Sequence, residues 1–379
     1  MSALAGLRVL ELARVLAGPT TGQTLADLGA DVIKVESPEG DETRRWGPPF
    51  IDTEGEESAA YFHSCNRGKR SIIADFATDR GREIVRRLAA RSDVLIENFK
   101  VGGLAKFGLD YESLSALNSR LVYCSVTGFG QTGPYAKRAG YDFLIQGMSG
   151  MMSITGEPDG SPQKAGVAIS DLFTGLYGVI AIEAALIARE RTGRGQYVDL
   201  ALFDSMTTML ANQAMNYLAS GQSPKRMGNA HVNLAPYQTL PVADGWLIVA
   251  VGNDGQFARL CGVLGLEPLA KDERFATNPG RVVNRVEMER ELVAKTATWM
   301  RNDLLAALEA AVVPAGPINT IGDLFADPQF KARGMLIELH GISGLRSPIL
   351  MSESPLTLER RSPKLGEHQT EILREIGLE

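Results

Sequence analysis

A single aspartate, Asp171, stands between a glycine-containing loop and the longest apolar run of the chain. The segment reads KAGVAISDLFTGLYG (164–178) and continues as VIAIEAALIARE to position 190. Between positions 172 and 188 only Glu183 is charged, the pattern of a helix buried on nearly all sides. A carboxylate in the first turn of such a helix meets the positive end of its dipole and unpaired backbone N–H groups. That setting would keep Asp171 ionised even when largely desolvated, as a carboxylate nucleophile must be. The same position also suits a plain N-cap, for which Asp is among the preferred residues.

Anion-binding side chains surround this candidate in the first half of the sequence. Arg14 follows a short apolar run, Arg44 and Arg45 follow another, and Lys69 and Arg70 precede a third. Asn98, Phe99, Lys100 and Lys106 follow a fourth. Singly, each basic residue reads as a solvated surface charge. Converging at one end of a sheet they would hold a phosphorylated ligand through charge-assisted hydrogen bonds. Phe99 beside Asn98 adds an apolar wall and an amide, which suits a nucleotide or a thioester better than free phosphate.

The elements that must bring these residues together alternate in period. Strands are expected over 8–12, 31–36, 71–76, 93–96 and 121–126, with helices over 20–29, 79–91 and 111–119. In the helix over 79–91, Ile84, Val85 and Leu88 share one face. Strands separated by helices imply parallel pairing through right-handed crossovers: an α/β fold with a Rossmann-like open parallel sheet. Ligands of such sheets bind outside the carboxyl ends of the strands. The loop after the first strand, ARVLAGP (13–19), lacks G-x-G-x-x-G, so the backbone cannot approach a dinucleotide pyrophosphate there.

A chain of 379 residues with 44% hydrophobic and 22% charged residues has the composition of a globular protein with room for two domains. Its net charge of −6 argues against a nucleic-acid partner. Cys65, Cys124 and Cys261 are too far apart for a disulfide framework or a metal motif, so no metal is expected and a reducing cytoplasm is the simplest home. MSALAGLRVLEL is not a signal peptide, and the run over 172–188, interrupted by Glu183, argues against a membrane span.

The basic turn RERTGRGQ (189–196) ends the apolar helix, with Gly193 as its stop. A strand over 198–202 and a helix over 204–219 follow. GQSPKRMGNAHVNLAP (221–236) reads as a linker. The expected organisation is therefore a large domain over 1–220 completed by 335–379, and a smaller α+β domain over 237–325 with a return linker over 326–334. The small domain should hold a strand over 246–251, the turn GNDGQ (252–256) and helices over 257–264, 286–300 and 303–311.

Nine segments, in order, resemble the class III CoA-transferases of the formyl-CoA transferase and carnitine CoA-transferase type. They are RVLAGP (14–19), DLGADVIKVE (27–36), GD-x-TR (40–44), NRGKRS (66–71), ENF (97–99), SVTGFGQTGP (125–134), RAGYD (138–142), GVAISDLFTGLYG (166–178) and TGRGQ-x-VD (192–199). Within that family DETRRWGPPF (41–50), NYLASGQSPKRMGNAH (216–231), PYQ (236–238) and GNDGQF (252–257) resemble the succinyl-CoA:glutarate branch. The resemblance implies that Asp171 is the nucleophile, forming an aspartyl anhydride and then an aspartyl-CoA thioester, with acyl-CoA as substrate and no further cofactor. It places Arg14, Val15, Ala17, Lys69, Arg70, Asn98, Phe99 and Lys106 on CoA, and Tyr141 and Asp142 in the active-site wall. It makes Gly252, Gly255 and Gln256 part of a loop folding over the site, and it implies an interlocked homodimer. From residues alone that loop is equally a turn with an Asn or Asp helix cap.

Two departures bear on substrate. Leu16 stands where formyl-CoA transferases carry Gln, and Asn253 and Asp254 interrupt a glycine run. Both point to a larger acid, a dicarboxylate, whose second carboxylate would seek Arg45 or Arg226. The enzymatic alternative, an α-methylacyl-CoA racemase, needs an acid and a base on opposite faces of the α-carbon. That branch has His where this chain has Tyr141, and His63, His231, His340 and His368 all lie outside the motif. The remaining alternative, a non-catalytic acyl-CoA-binding relative, would not need Asp171.

Overall fold

Short β-branched and apolar runs become strands, and the computed structural model describes all of residues 1–379. The strands of the first half are β1 (Arg8–Glu11), β2 (Asp31–Glu36), a small hairpin of β3 (Phe50–Thr53) and β4 (Glu56–Ala59), β5 (Arg70–Ile73), β6 (Val94–Glu97) and β7 (Val122–Thr127). With β8 (Tyr197–Ala201) they build one parallel six-stranded sheet in the order β5-β2-β1-β6-β7-β8, the hairpin standing apart. The expected open parallel sheet is therefore present. Strand order reverses between β1 and β6, which makes the crevice beyond their carboxyl ends the place where such a sheet binds ligands.

Both faces of the sheet are covered, because alternate residues of each strand are apolar. Val9, Val94, Ile96, Val122 and Cys124 pack toward Leu25 of the helix Ala17–Asp27 and Ile182 of the helix Ile169–Thr192. Leu10, Ile33, Ile72 and Leu95 face Ile84, Val85 and Leu88 of the helix Asp79–Ala89, together with Ile372 of the C-terminal helix Gln369–Glu375. The Asp79–Ala89 helix has Thr78 as N-cap, its hydroxyl accepting from Gly81 N–H at 3.0 Å.

The long helix Ile169–Thr192 departs from expectation. Its buried face is Ser170, Thr174, Gly175, Gly178, Val179, Ile182, Ala185 and Arg189. Phe173, Leu176, Tyr177, Ile180 and Ile187 form an exposed apolar stripe on the other side, so burial on nearly all sides does not hold in the single chain. The expected helix over 204–219 is broken into Leu202–Thr208 and Ala211–Ser220, with Ala211 at a φ of 43°. A left-handed alanine cannot continue a right-handed helix.

Backbone proximity divides the chain into two units at that break. The first comprises Met1–Met151, Ala165–Leu210 and Pro328–Glu379, the second Met152–Lys164 and Ala211–Asp327. The second is built on an antiparallel sheet of β9 (Tyr237–Val242), β10 (Gly245–Ala250) and β11 (Ala315–Pro317), in the order β11-β10-β9. Leu240, Leu247 and Val249 bury against Phe257, Leu260, Met288, Leu292, Leu304 and Leu308 of its helices. The first unit also contains the hairpin β12 (Leu336–Leu339) and β13 (Ile342–Leu345).

Candidate active site

Two loops meet at the reversal of strand order, one after β1 and one after β6. Asn98 locks them together: its Oδ1 accepts Arg14 N–H at 2.9 Å and its Nδ2 donates to Arg14 O at 2.6 Å. Phe99 lies beneath the Arg14 guanidinium, 5.2 Å from ring centroid to Cζ. Val15 takes a φ of 71°, a strained setting for a β-branched residue, and its N–H faces Asp41 Oδ2 at 3.2 Å.

Beneath the first loop lies a buried charge network. Lys34 Nζ reaches Asp41 Oδ2 at 2.9 Å, Glu11 Oε1 at 3.2 Å and Ala13 O at 2.9 Å. Lys69 Nζ contacts Glu11 Oε2 at 2.8 Å and donates to Pro19 O and Asn66 Oδ1, each at 2.9 Å. Burial alone would lower the pKa of Lys34, but the carboxylates of Asp41, Glu11 and Glu36 outweigh it and raise it. Asp41 is held down at about 2, because Lys34 and Thr43 outweigh the effect of its burial. The network fixes both ends of the 13–19 loop, with all four charged groups in place before any ligand arrives.

Asp171 approaches this loop through close helix packing. A Cβ on Gly175 would sit 2.8 Å from Ala17 O, so only glycine lets the long helix lie against the start of the 17–27 helix. Asp171 is one turn earlier on that helix and lines a cavity of about 450 Å³. Arg14, Val15, Ala17, Asn98, Phe99, Lys106 and Tyr141 share the cavity, as expected. Its roof is a backbone-to-backbone contact of Gly128 with Gly140, where a Cβ on either would come within 2.6 Å of the other's Cα.

The surroundings of Asp171 oppose its ionisation more than the helix-end reading implies. The carboxylate's pKa is pushed up to about 7, first by burial and second by the charge of Asp142. The Ser170 N–H at that helix end is taken by another carboxylate: Asp142 Oδ1 accepts from Ser170 N at 2.9 Å and Ser170 Oγ at 2.8 Å, and Oδ2 from Gln146 Nε2 at 2.8 Å. Asp171 is not the N-cap either; Ala168 occupies that place. Burial first, then the charges of Asp171, Cys65, Asp142 and Asp41, push the Tyr61 phenol up to about 12. Tyr61 thus senses both the loop and the candidate nucleophile.

Within the first unit, three expected site residues, Lys69, Arg70 and Asp142, do not line the cavity. Lys69 is fully buried in the network just described. Arg70 is buried on Asp31, Glu371 and Glu375, near the amino end of β2 and away from the ligand-binding edge. Asp142 supports the Asp171 helix from behind. Arg45 is exposed and donates to Glu39 O at 3.2 Å. Arg226 belongs to the second unit, where its guanidinium bonds the carbonyls of Glu157, Pro158 and Gly160. Gly252, Gly255 and Gln256 are also in the second unit. There Asn253 caps the helix Asp254–Leu264, accepting from Gln256 N at 2.9 Å, while Gln256 Oε1 accepts from Gly252 N at 2.7 Å. The helix-cap reading of that loop is observed.

Lys100, expected among the anion-binding side chains, lines the cavity, and so do Lys137, Arg138 and Glu42, which sequence reasoning did not assign to the site. Arg138 stacks on Tyr135, 4.5 Å from Cζ to centroid. Lys137 immediately precedes the RAGYD motif and Arg138 opens it, so the signal is a basic pair at the start of that motif. The cavity thus combines one raised carboxylate with Arg14, Lys100, Lys106, Lys137 and Arg138, a set suited to an anionic ligand whose reactive carbon must meet a carboxylate.

Comparison with known proteins adds to this geometry. Residues 4–369 match the sequence pattern described as CoA-transferase family III. The chain is 61% identical to the succinate–glutarate CoA-transferase of Agrobacterium fabrum, over 98% of this chain and 95% of that one. It is 41% identical to the Homo sapiens succinyl-CoA:glutarate CoA-transferase, over 98% of this chain and 86% of that one. The crystal structure of a CAIB/BAIF family protein from Brucella suis superposes with a TM-score of 0.91 at 68% identity, covering 99% of both chains.

Proposed function

Because the chain belongs to CoA-transferase family III, we propose that it moves CoA from succinyl-CoA to glutarate through covalent intermediates on Asp171. The observation that carries the site assignment is the carboxylate of Asp171 in a cavity otherwise dominated by cations. The ionised carboxylate attacks the thioester carbonyl; the C–S bond breaks, leaving a succinyl-aspartyl anhydride and CoA thiolate. The thiolate attacks the aspartyl carbonyl, releasing succinate and forming an aspartyl-CoA thioester. A glutarate carboxylate then attacks that thioester, and the freed thiolate attacks the glutaryl carbonyl of the new anhydride. Glutaryl-CoA leaves and the Asp171 carboxylate is restored, with no net proton transferred.

The basic groups at the cavity suit the phosphates of CoA, with Lys100, Lys106, Lys137 and Arg138 exposed to receive them. Burial, which raises the Asp171 pKa, also makes its ionised form a stronger nucleophile by stripping its hydration. The exposed stripe Phe173, Leu176, Tyr177, Ile180 and Ile187 supports assembly of two chains as an interlocked homodimer, and Gly252, Gly255 and Gln256 are carried with that assembly as site residues. A reducing cytoplasm accords with three free cysteines.

The test is mass spectrometry of the protein with succinyl-CoA, with and without glutarate. Glutaryl-CoA should form only with glutarate, and a trapped adduct should map to the Asp171 peptide. Asp171→Asn should give neither. Wild-type turnover by that variant would remove Asp171 from the mechanism.

A further inference from the structure

Arg14 and Glu42 face each other at the cavity that holds Asp171. Arg14 Nη1 donates to Glu42 Oε1 at 2.7 Å, while Arg14 Nε and Glu42 Oε2, both screened from solvent, have no partner. The two groups meet by one edge each, where a guanidinium and a carboxylate can meet by two. Their side chains are 43% and 39% exposed, so the pair is of the weak, exchangeable kind. The backbones on either side are fixed by contrast. Asn98 clamps Arg14 from both its N–H and its C=O, Phe99 supports the guanidinium, and Asp41 Oδ1 caps the turn that carries Glu42 by accepting from Thr43 N at 3.0 Å.

A well-anchored cation, loosely occupied by a carboxylate beside a nucleophilic carboxylate, is built to accept a carboxylate from a ligand. Gly175 packs on Ala17 O, which brings the Asp171 turn of the long helix against the loop carrying Arg14. Of the other cations of the cavity, Arg138 lies on the rings of Tyr135 and Phe129 and Lys106 on that of Phe107, while Lys100 and Lys137 are exposed. Arg45, one of the partners expected from sequence, does not line this cavity and instead donates to Glu39 O.

We propose that Arg14 receives the distal carboxylate of the dicarboxylic acid, which displaces Glu42, and that this exchange selects diacids over monoacids of the same length. The inference rests on the transfer reading above. A monoacid leaves the Arg14–Glu42 pair intact and gains nothing from it. A diacid replaces one carboxylate by another with no change of charge at Arg14, gains the second edge of the guanidinium, and releases Glu42 to water.

The experiment compares kcat/KM for glutarate with kcat/KM for pentanoate, the same chain without the second carboxylate, using succinyl-CoA as donor. In a ping-pong scheme these values report the acceptor half-reaction alone. Arg14→Gln should lower kcat/KM for glutarate by about tenfold to a hundredfold, with a much smaller change for pentanoate. Glu42→Gln frees the guanidinium and should raise kcat/KM for glutarate by roughly threefold to tenfold, with a much smaller change for pentanoate. Equal losses for both acids in Arg14→Gln, or no gain for glutarate in Glu42→Gln, would overturn the proposal while leaving CoA transfer standing. Failure of the wild-type protein to make any glutaryl-CoA would instead sink the transfer reading, and this proposal with it.

Discussion

Asp171→Asn should not only stop transfer but also stabilise the fold at neutral and alkaline pH. The Asp171 pKa lies at about 7 in the folded chain against an ordinary 3.8. A group whose folded pKa exceeds its unfolded value contributes stability that is complete below the unfolded pKa and is lost as pH rises through the folded pKa. Wild-type stability should therefore drain away between about pH 4 and pH 7, and Asn, which cannot ionise, should escape that loss. The rise spans about three pH units, at ~1.36 kcal/mol each, which sets a ceiling of about 4 kcal/mol. Solvent reaches one side of the residue, so about 2 kcal/mol is the expected gain. No hydrogen bond to the carboxylate offsets the burial, so the amide forfeits little. The assay is the unfolding midpoint of both proteins, in urea or by heating, at about pH 5, 6, 7 and 8. The variant should lead by its full margin at pH 7 and 8 and by progressively less below. A variant less stable than wild type at pH 8, or a margin that does not change with pH, would refute the claim that burial and Asp142 strain the carboxylate.

Other substitutions probe the supports of the site. Asp142→Asn removes the second cause of the raised Asp171 pKa, so the acid limb of kcat/KM should move below 7 by less than half of the total rise; a limb that stays or moves upward would discount Asp142. Its amide oxygen can still accept from Ser170, so the variant should fold. Lys69→Met leaves Glu11 with Lys34 alone and takes the donor from Pro19 O and Asn66 Oδ1, and should cost about 3 kcal/mol in chemical denaturation. An unchanged unfolding midpoint with a raised KM for acyl-CoA would restore Lys69 as a ligand contact. Gly175→Val drives a side chain into Ala17 O and the Thr20 side chain, and should cost about 1–3 kcal/mol together with kcat; wild-type turnover would show that close packing of the two helices does not position Asp171.

The sequence carried the parallel sheet because strand periodicity and intervening helices are local signals, and Ile84, Val85 and Leu88 are buried as their spacing implies. Strand order is not local: nothing in the spacing of β1 and β6 says that they are neighbours, or that Asn98 clamps Arg14. Topology decided which basic residues converge. Lys69 and Arg70 are adjacent in a basic run that reads as one patch, yet successive residues of a strand point to opposite faces. One enters the network under the 13–19 loop and the other the ion pairs at the far end of the sheet. Neither distinction leaves a mark in composition.

The long helix shows a different kind of illegibility. An apolar residue facing a core and one facing a partner are written alike, so the run after Asp171 reads as buried all round although Phe173, Tyr177 and Ile180 are exposed in one chain. Gly175 marks the face that is packed within the chain, because its missing Cβ is what brings Asp171 to the Arg14 loop. The same helix thus serves two demands: a glycine-lined side that sets the candidate nucleophile against the Arg14 loop, and a bulky apolar side left for another surface. If a second copy covers that side, a charge placed at Ile180 should weaken assembly before it weakens the fold, since Ile180 lies outside the core of its own chain. Ile180→Glu should then shift the protein to monomers in sedimentation while retaining helical content. An unchanged sedimentation profile would assign the stripe to something other than a second copy of the chain.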